Sequence, residues 1–153
     1  MKGRKMILKQ VLIVALVVLV AGCAKPVKHN TASGKAEVFF PTQNIQAVKR
    51  TVVSVFINRG YMITQDSDFQ LAFDRPVQNT FAAAFLGSRY DSKPNARVTT
   101  TFIAGNRNTR VIVDASIITN PGSAFEKRTS LNNNADTLKI KAELETAARK
   151  VQF

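Results

Sequence analysis

The chain opens with an unbroken apolar run, Val11 to Ala21, and changes rhythm after it. Lys2, Arg4, Lys5 and Lys9 precede the run, and the small residues Ala21 and Gly22 close it. Basic, apolar, then small is the order of a secretory leader. A membrane-spanning helix needs roughly 20 apolar residues, and Lys9-Gln10 interrupts this stretch well short of that. Residues 24–35 then lose all apolar periodicity and read as a polar tether.

From residue 36 onward the pattern is that of a folded domain. Glu37 to Phe40 predicts a short strand ended by Pro41. With Thr42 as N-cap, the stripe Ile45, Val48, Val52, Val55 and Phe56 predicts a helix that Gly60 terminates. Tyr61 to Gln65 reads as a strand and Asp66-Ser67-Asp68 as a turn. Phe69, Leu71 and Phe73 alternate with Gln70, Ala72 and Asp74, the period of a half-buried strand. Val98, Thr100 and Phe102 share one face of a further strand, and Val111, Val113, Ala115 and Ile117 one face of the next. Gly105 to Asn108 joins the two as a hairpin. Ala124 to Thr129 predicts a short extra strand. Asn133 and Asp136 mark the start of a last helix buried along Ile140, Leu144, Ala147, Ala148 and Val151. Two helices, each apolar on one side only, belong on one face of a single sheet. The expectation is a two-layer α+β domain with a mostly antiparallel sheet of about five strands.

Cysteine usage adds an address. The only cysteine is Cys23, and Val20-Ala21-Gly22-Cys23 resembles the lipobox of bacterial lipoproteins. The resemblance implies cleavage between Gly22 and Cys23, and a diacylglycerol and an N-acyl chain on Cys23 as the lipid anchor. Ala24 stands where aspartate is associated with inner-membrane retention, which implies the periplasmic leaflet of the outer membrane. The expected organisation is a signal peptide over 1–22, a lipidated cysteine with flexible tether over 23–35, and one α+β domain over 36–153. With no second cysteine the domain is held by its core alone.

Charge narrows the partners. Four of the 22 basic residues lie in the leader, leaving 18 against 10 acidic ones. Such a surface suits anionic lipid, lipopolysaccharide or cell-wall polymer, although the scattered charges serve solubility equally well. Reactive constellations are missing. The single histidine, His29, sits in the tether, so the domain has no histidine for a triad, a proton shuttle or a zinc site. Asp66 and Asp68 lack the glycine and the acidic twelfth position of a calcium loop. Glu143 and Glu145 are two apart on a helix and do not face each other. Arg59-Gly60-Tyr61-Met62 lacks the aromatic continuation of an RNA-binding strand, and an envelope address removes nucleic acid as a partner. No enzyme, no metal and no cofactor beyond the acyl chains is expected. Phe81-Ala82-Ala83-Ala84-Phe85-Leu86 lies within the 77–95 loop. Phe81, Phe85 and Leu86 are therefore candidates for partner or membrane contact, with burial as core the equal alternative.

The early helix, Gly60-Tyr61-Met62-Ile63, the strand Phe69 to Phe73, a variable loop, a hairpin and a long final helix resemble the helix-grip domains of the lipoprotein C subunit of the outer-membrane β-barrel assembly machinery. The resemblance spans about residues 36 to 153. It implies an envelope-assembly or protein-binding role and carries over no catalytic residue. Three roles stay open: an accessory or scaffold protein binding a partner through a sheet edge or the 77–95 loop, a carrier or sensor of an apolar or lipid ligand, and an accessory lipoprotein of a secretion apparatus.

Overall fold

The computed structural model describes residues 26–77 and 93–151. Six strands form one antiparallel sheet: β1 (Ala36–Phe40), β2 (Met62–Ser67), β3 (Gln70–Pro76), β4 (Asn95–Ala104), β5 (Thr109–Thr119) and β6 (Lys127–Ser130). Two helices accompany them, α1 (Ile45–Ile57) between β1 and β2, and α2 (Ala135–Lys150) after β6. The spatial order is β1-β5-β4-β3-β2, with β6 also on β5. β1 borders Thr109–Val113 of β5 and β6 borders Ser116–Thr119, so the two short strands share one side of β5.

The fold is α+β as expected, with six strands, and the short strand expected over Ala124 to Thr129 lies at Lys127–Ser130. β6 reads Lys-Arg-Thr-Ser, and all four residues are exposed. It has no apolar alternation of its own; its pairing with β5 sets its bounds.

One core holds the two layers together. Val48, Val52 and Phe56 of α1 and Ile140, Leu144 and Ala148 of α2 meet Val38, Phe40, Leu71, Phe73, Val98, Phe102, Val111 and Val113 of the sheet. Each set lies on the stripe or alternate positions that the periodicity predicts. The end of β5 departs from it: Ile118, on the other face, is buried, while Ile117 is half-buried. β6 and Asn95 flank Ile118 on its two sides, which shields that face locally.

Both helix starts differ from expectation by a residue or two. The α1 cap is Asn44, whose side chain accepts from the Ala47 N–H at 3.0 Å. Thr42 instead accepts from the Asn44 N–H at 3.2 Å, and its carbonyl receives the Thr109 hydroxyl at 2.8 Å. The α2 cap is Asn134, not Asn133, with Asp136 in the first turn and Arg149 and Lys150 in the last, both favourable to the helix dipole. Gly60 closes α1 as predicted. With φ of 77°, it lets the Gly60 N–H reach Ile57 O at 2.9 Å and the Tyr61 N–H reach Phe56 O at 3.1 Å. The Tyr61 ring then meets Phe56 edge-on at 5.6 Å.

The β2–β3 turn also moves. A register shift between Ile63 and Gln65 carries β2 on to Ser67, so Asp68 and Phe69 form the turn. Phe69 is left exposed at the tip, while Leu71 and Phe73 are fully buried.

The stretch expected as a flexible tether is tied down from Val27 onward. The Val27 N–H donates to Asn133 O at 2.9 Å. His29 Nε2 lies 3.0 Å from Asn132 O and 2.9 Å from Thr137 Oγ1. Further on, the Ser33 N–H donates to Glu37 at 3.0 Å, and Lys35 pairs with Asp114. Polar side chains and backbone make these contacts, so no apolar period announces them.

Those two carboxylates give the fold an acid-sensitive seam. The hydrogen bond from Ser33 is the main reason the Glu37 carboxyl is held below its ordinary value of 4.5; burial opposes it, and Arg110 and Lys141 assist. Burial raises Asp114, but hydrogen bonds from Lys35 and Asn132, with the charges of Lys35 and Arg128, outweigh it and hold the group below 3.8. Groups depressed on folding contribute stability that is complete above the ordinary carboxylate range and lost as pH falls through their folded values. The melting temperature is expected to stay level from neutrality to about pH 5 and to fall below that. Thermal melts of Glu37→Gln/Asp114→Asn, compared with the native chain, check it: the double variant should start lower and lose less in acid.

Candidate functional site

The helix-free face of the sheet carries most of the polar chemistry. Strand register sets its rows. Asp74 of β3, Arg97 of β4, Ser116 of β5 and Ser130 of β6 lie side by side across four strands. Asp74 is buried, and Arg97 donates to both of its carboxylate oxygens at 2.7 Å. These bonds hold the Arg97 guanidinium above its usual value, against the effect of burial. Ser116 Oγ is buried and has no hydrogen-bond partner among the described residues. The neighbouring row sets Ala72 beside Thr99 and Asp114, and Lys35 and Arg128 close on Asp114 from the edge. Arg97 of the first row and Ala72, Thr99 and Asp114 of the second, with Lys35 and Arg128, line a polar concavity of about 370 Å³.

The ion pairs decide what this face can do. Arg97 is committed to Asp74, with Glu126 3.7 Å away, and Asp114 takes both Lys35 and Arg128. Each cation is answered by a carboxylate, so the face carries no concentrated charge for an anionic ligand. Nor do the described residues assemble a catalytic group. His29 is engaged by the turn before α2, and no cluster of three or more His, Cys, Asp or Glu residues suited to a metal occurs among them. Glu143 and Glu145, as expected, serve a solvated helix face, Glu143 with Arg59 and Glu145 with Lys141.

A second hollow of about 360 Å³ opens between the start of α2 and the sheet. Ala96, Val98, Ala115, Ile117 and Ile140 give it apolar walls, and Arg59, Arg75 and Asp136 a charged rim. It lies at the low end of the size range of small-molecule pockets.

The third surface is an edge. β2 pairs only with β3, and every one of its six residues is exposed. Met62 is 61% and Ile63 43% exposed at the start of β2, and Phe69, in the hairpin turn at its other end, is 66% exposed. Exposed apolar side chains thus mark both ends of one bare strand edge, the kind of edge to which another strand adds. Lys49 braces it from behind: the ammonium, nearly buried, pairs with Asp66 and donates to Ser67 O at 2.9 Å. The bulge between Ile63 and Gln65 is the one feature that limits continued pairing along this edge.

The sequence-based candidates lie elsewhere. Gly22, Cys23, Phe81, Phe85 and Leu86 all fall outside the described residues. The chain leaves the described part after Val77, whose N–H donates to Pro94 O at 2.9 Å and closes the base of that segment. Met62, Ile63 and Phe69 were absent from the candidates because an apolar residue within a strand reads first as core. Their exposure follows from the position of β2 at the end of the strand order and of Phe69 in the turn after it. Compared with known proteins, the chain matches no family model and no curated protein.

Proposed function

We propose that this protein is a lipid-anchored, non-catalytic accessory protein of an envelope complex. Cys23 carries the acyl chains at the periplasmic leaflet of the outer membrane, and a protein partner adds a strand to β2. The reading rests above all on the β2 edge, where an unpaired backbone is combined with exposed Met62, Ile63 and Phe69. Backbone pairing supplies affinity in such a mode, and alternate side chains supply specificity. The helix-grip likeness suggested by the order of elements points to the same kind of role, as does the shortage of reactive side chains.

A photo-crosslinking residue placed at Met62 or Ile63 of the full-length protein in native membranes tests this. Each position should give one discrete protein adduct, and Arg149 on the exposed side of α2 should give none. Ile63→Lys should abolish the adduct formed from Met62 while changing stability by no more than about 0.5 kcal/mol, as surface substitutions usually do. Adducts of equal yield from all three positions, or none from β2, would rule out the edge as the docking surface.

A further inference from the structure

The two sides of the sheet are chemically unlike. β2 borders one side and contributes a single charge, Asp66, which Lys49 neutralises. The opposite side, along β6, presents Lys127 and Arg128 on an exposed strand. Just before it, in the turn from β5, Phe125 is 82% exposed, more than any other large apolar residue described. The acidic groups nearby are already engaged. Glu126 accepts from the Gly122 N–H at 2.9 Å and sits beside Arg97, and Asp114 is shared by Lys35 and Arg128.

The N-terminal segment arrives on this same side. Val27 is bonded to Asn133, and His29 to the turn at Asn132 and Thr137. That turn continues β6: the Leu131 N–H donates to Ala115 O at 2.8 Å, and the Asn132 side chain accepts from the Ala115 N–H at 2.9 Å. Cys23 precedes Val27 by four residues, a span of at most about 14 Å when fully extended. Acyl chains on Cys23 therefore bring a bilayer surface within that distance of Val27, on the β6 side of the sheet. Exposed Lys28 lies next to the attachment point.

We infer that the protein rests on its membrane by the β6 side, with Phe125 in the headgroup layer, Lys28 and Lys127 facing anionic lipid phosphates, and β2 directed away from the bilayer. An exposed aromatic with exposed lysines on the same side of the sheet is the composition of an interfacial contact. Four interstrand spacings of about 4.8 Å separate β6 from β2 and set the docking edge roughly 19 Å clear of the contact. The inference rests on the lipid-anchor reading above, and adds to it an orientation: one edge for the membrane, the other for the partner.

The chain contains no tryptophan, so a single introduced one reports without background. Full-length lipoprotein carrying Phe125→Trp is reconstituted into vesicles of phosphatidylethanolamine and phosphatidylglycerol. Its emission should shift to the blue, and brominated acyl chains should quench it. Phe69→Trp, beside β2, should keep a solvent-like spectrum and escape quenching. Adding Lys28→Glu and Lys127→Glu to the Phe125→Trp chain should reduce the shift. A protein that floats with the vesicles while its Phe125→Trp probe stays solvent-like overturns the orientation and leaves the anchor standing. Quenching of Phe69→Trp equal to or stronger than that of Phe125→Trp also overturns it. Full-length protein that does not float removes the anchor reading, and this inference with it.

Discussion

Phe56→Ala is expected to lower the unfolding free energy by about 3–5 kcal/mol, the usual cost of removing a large buried aromatic. Its environment places it at the upper part of that range. Phe56 is fully buried, its ring stacks on Phe73 at 4.6 Å between centroids, and Tyr61 meets its edge at 5.6 Å. Its carbonyl also receives the Tyr61 N–H that completes the turn at Gly60. One side chain therefore joins α1 to β3 and fixes the path of the chain into β2. Domains of this size have about 5–15 kcal/mol in total, so the loss leaves little margin. No disulfide within the domain can compensate, since the only cysteine is Cys23. Urea titration should show the midpoint falling sharply with the slope unchanged. Ile57→Ala, at the adjacent and 47% exposed position, should cost under about 1 kcal/mol. Equal losses at the two positions would mean that the core is not centred on Phe56.

That residue was legible from sequence because burial on a regular element repeats. Val48, Val52 and Phe56 recur at helical spacing, and Leu71 with Phe73, or Val111 with Val113, at strand spacing. Features created by pairing or by a single local shift were not legible. A short strand was expected over Ala124 to Thr129, but β6 has no apolar position, and its bounds, Lys127–Ser130, come only from pairing with β5. The bulge after Ile63 moves the turn onto Phe69, and alternation alone reads that residue as core. The Asp74–Arg97 pair needs the β3–β4 register, which spans a long intervening segment. Lys49, lying on the buried side of α1, makes sense only when Asp66 comes to face it. Thr42 and Asn44 are both good helix caps, and the tie from Thr109 to the Thr42 carbonyl helps decide between them. The proposed docking edge falls between these cases. A sheet edge was expected as a binding surface, but the identity of the bare strand follows from strand order, which periodicity does not contain.

Cys23→Ser is expected to move the protein almost entirely from the membrane fraction to the soluble fraction. Each buried methylene of an acyl chain contributes about 0.8 kcal/mol, and one myristoyl-length chain gives an association constant of only about 10⁴ M⁻¹. Two or three chains on one residue make anchoring effectively permanent, and serine offers no thiol to carry the first of them. What remains is the proposed contact on the β6 side, with Phe125, Lys28 and Lys127. Without acyl chains that surface gives weak, salt-sensitive attraction, which screening at physiological ionic strength reduces further. No helix among the described residues is long and apolar enough to hold the chain in a bilayer instead. Fractionation of cells expressing each form, followed by a high-salt wash, measures the shift. Metabolic labelling with a palmitate analogue should mark the native chain and leave Cys23→Ser unlabelled. On the proposed orientation the crosslink from Met62 should fall in parallel, because that orientation joins β2 to its partner only while the opposite edge is held at the membrane. If the variant stayed in the washed membrane fraction and still formed that crosslink, the partner and not the lipid would be the anchor. The division of labour between the two sheet edges would then collapse to β2 alone.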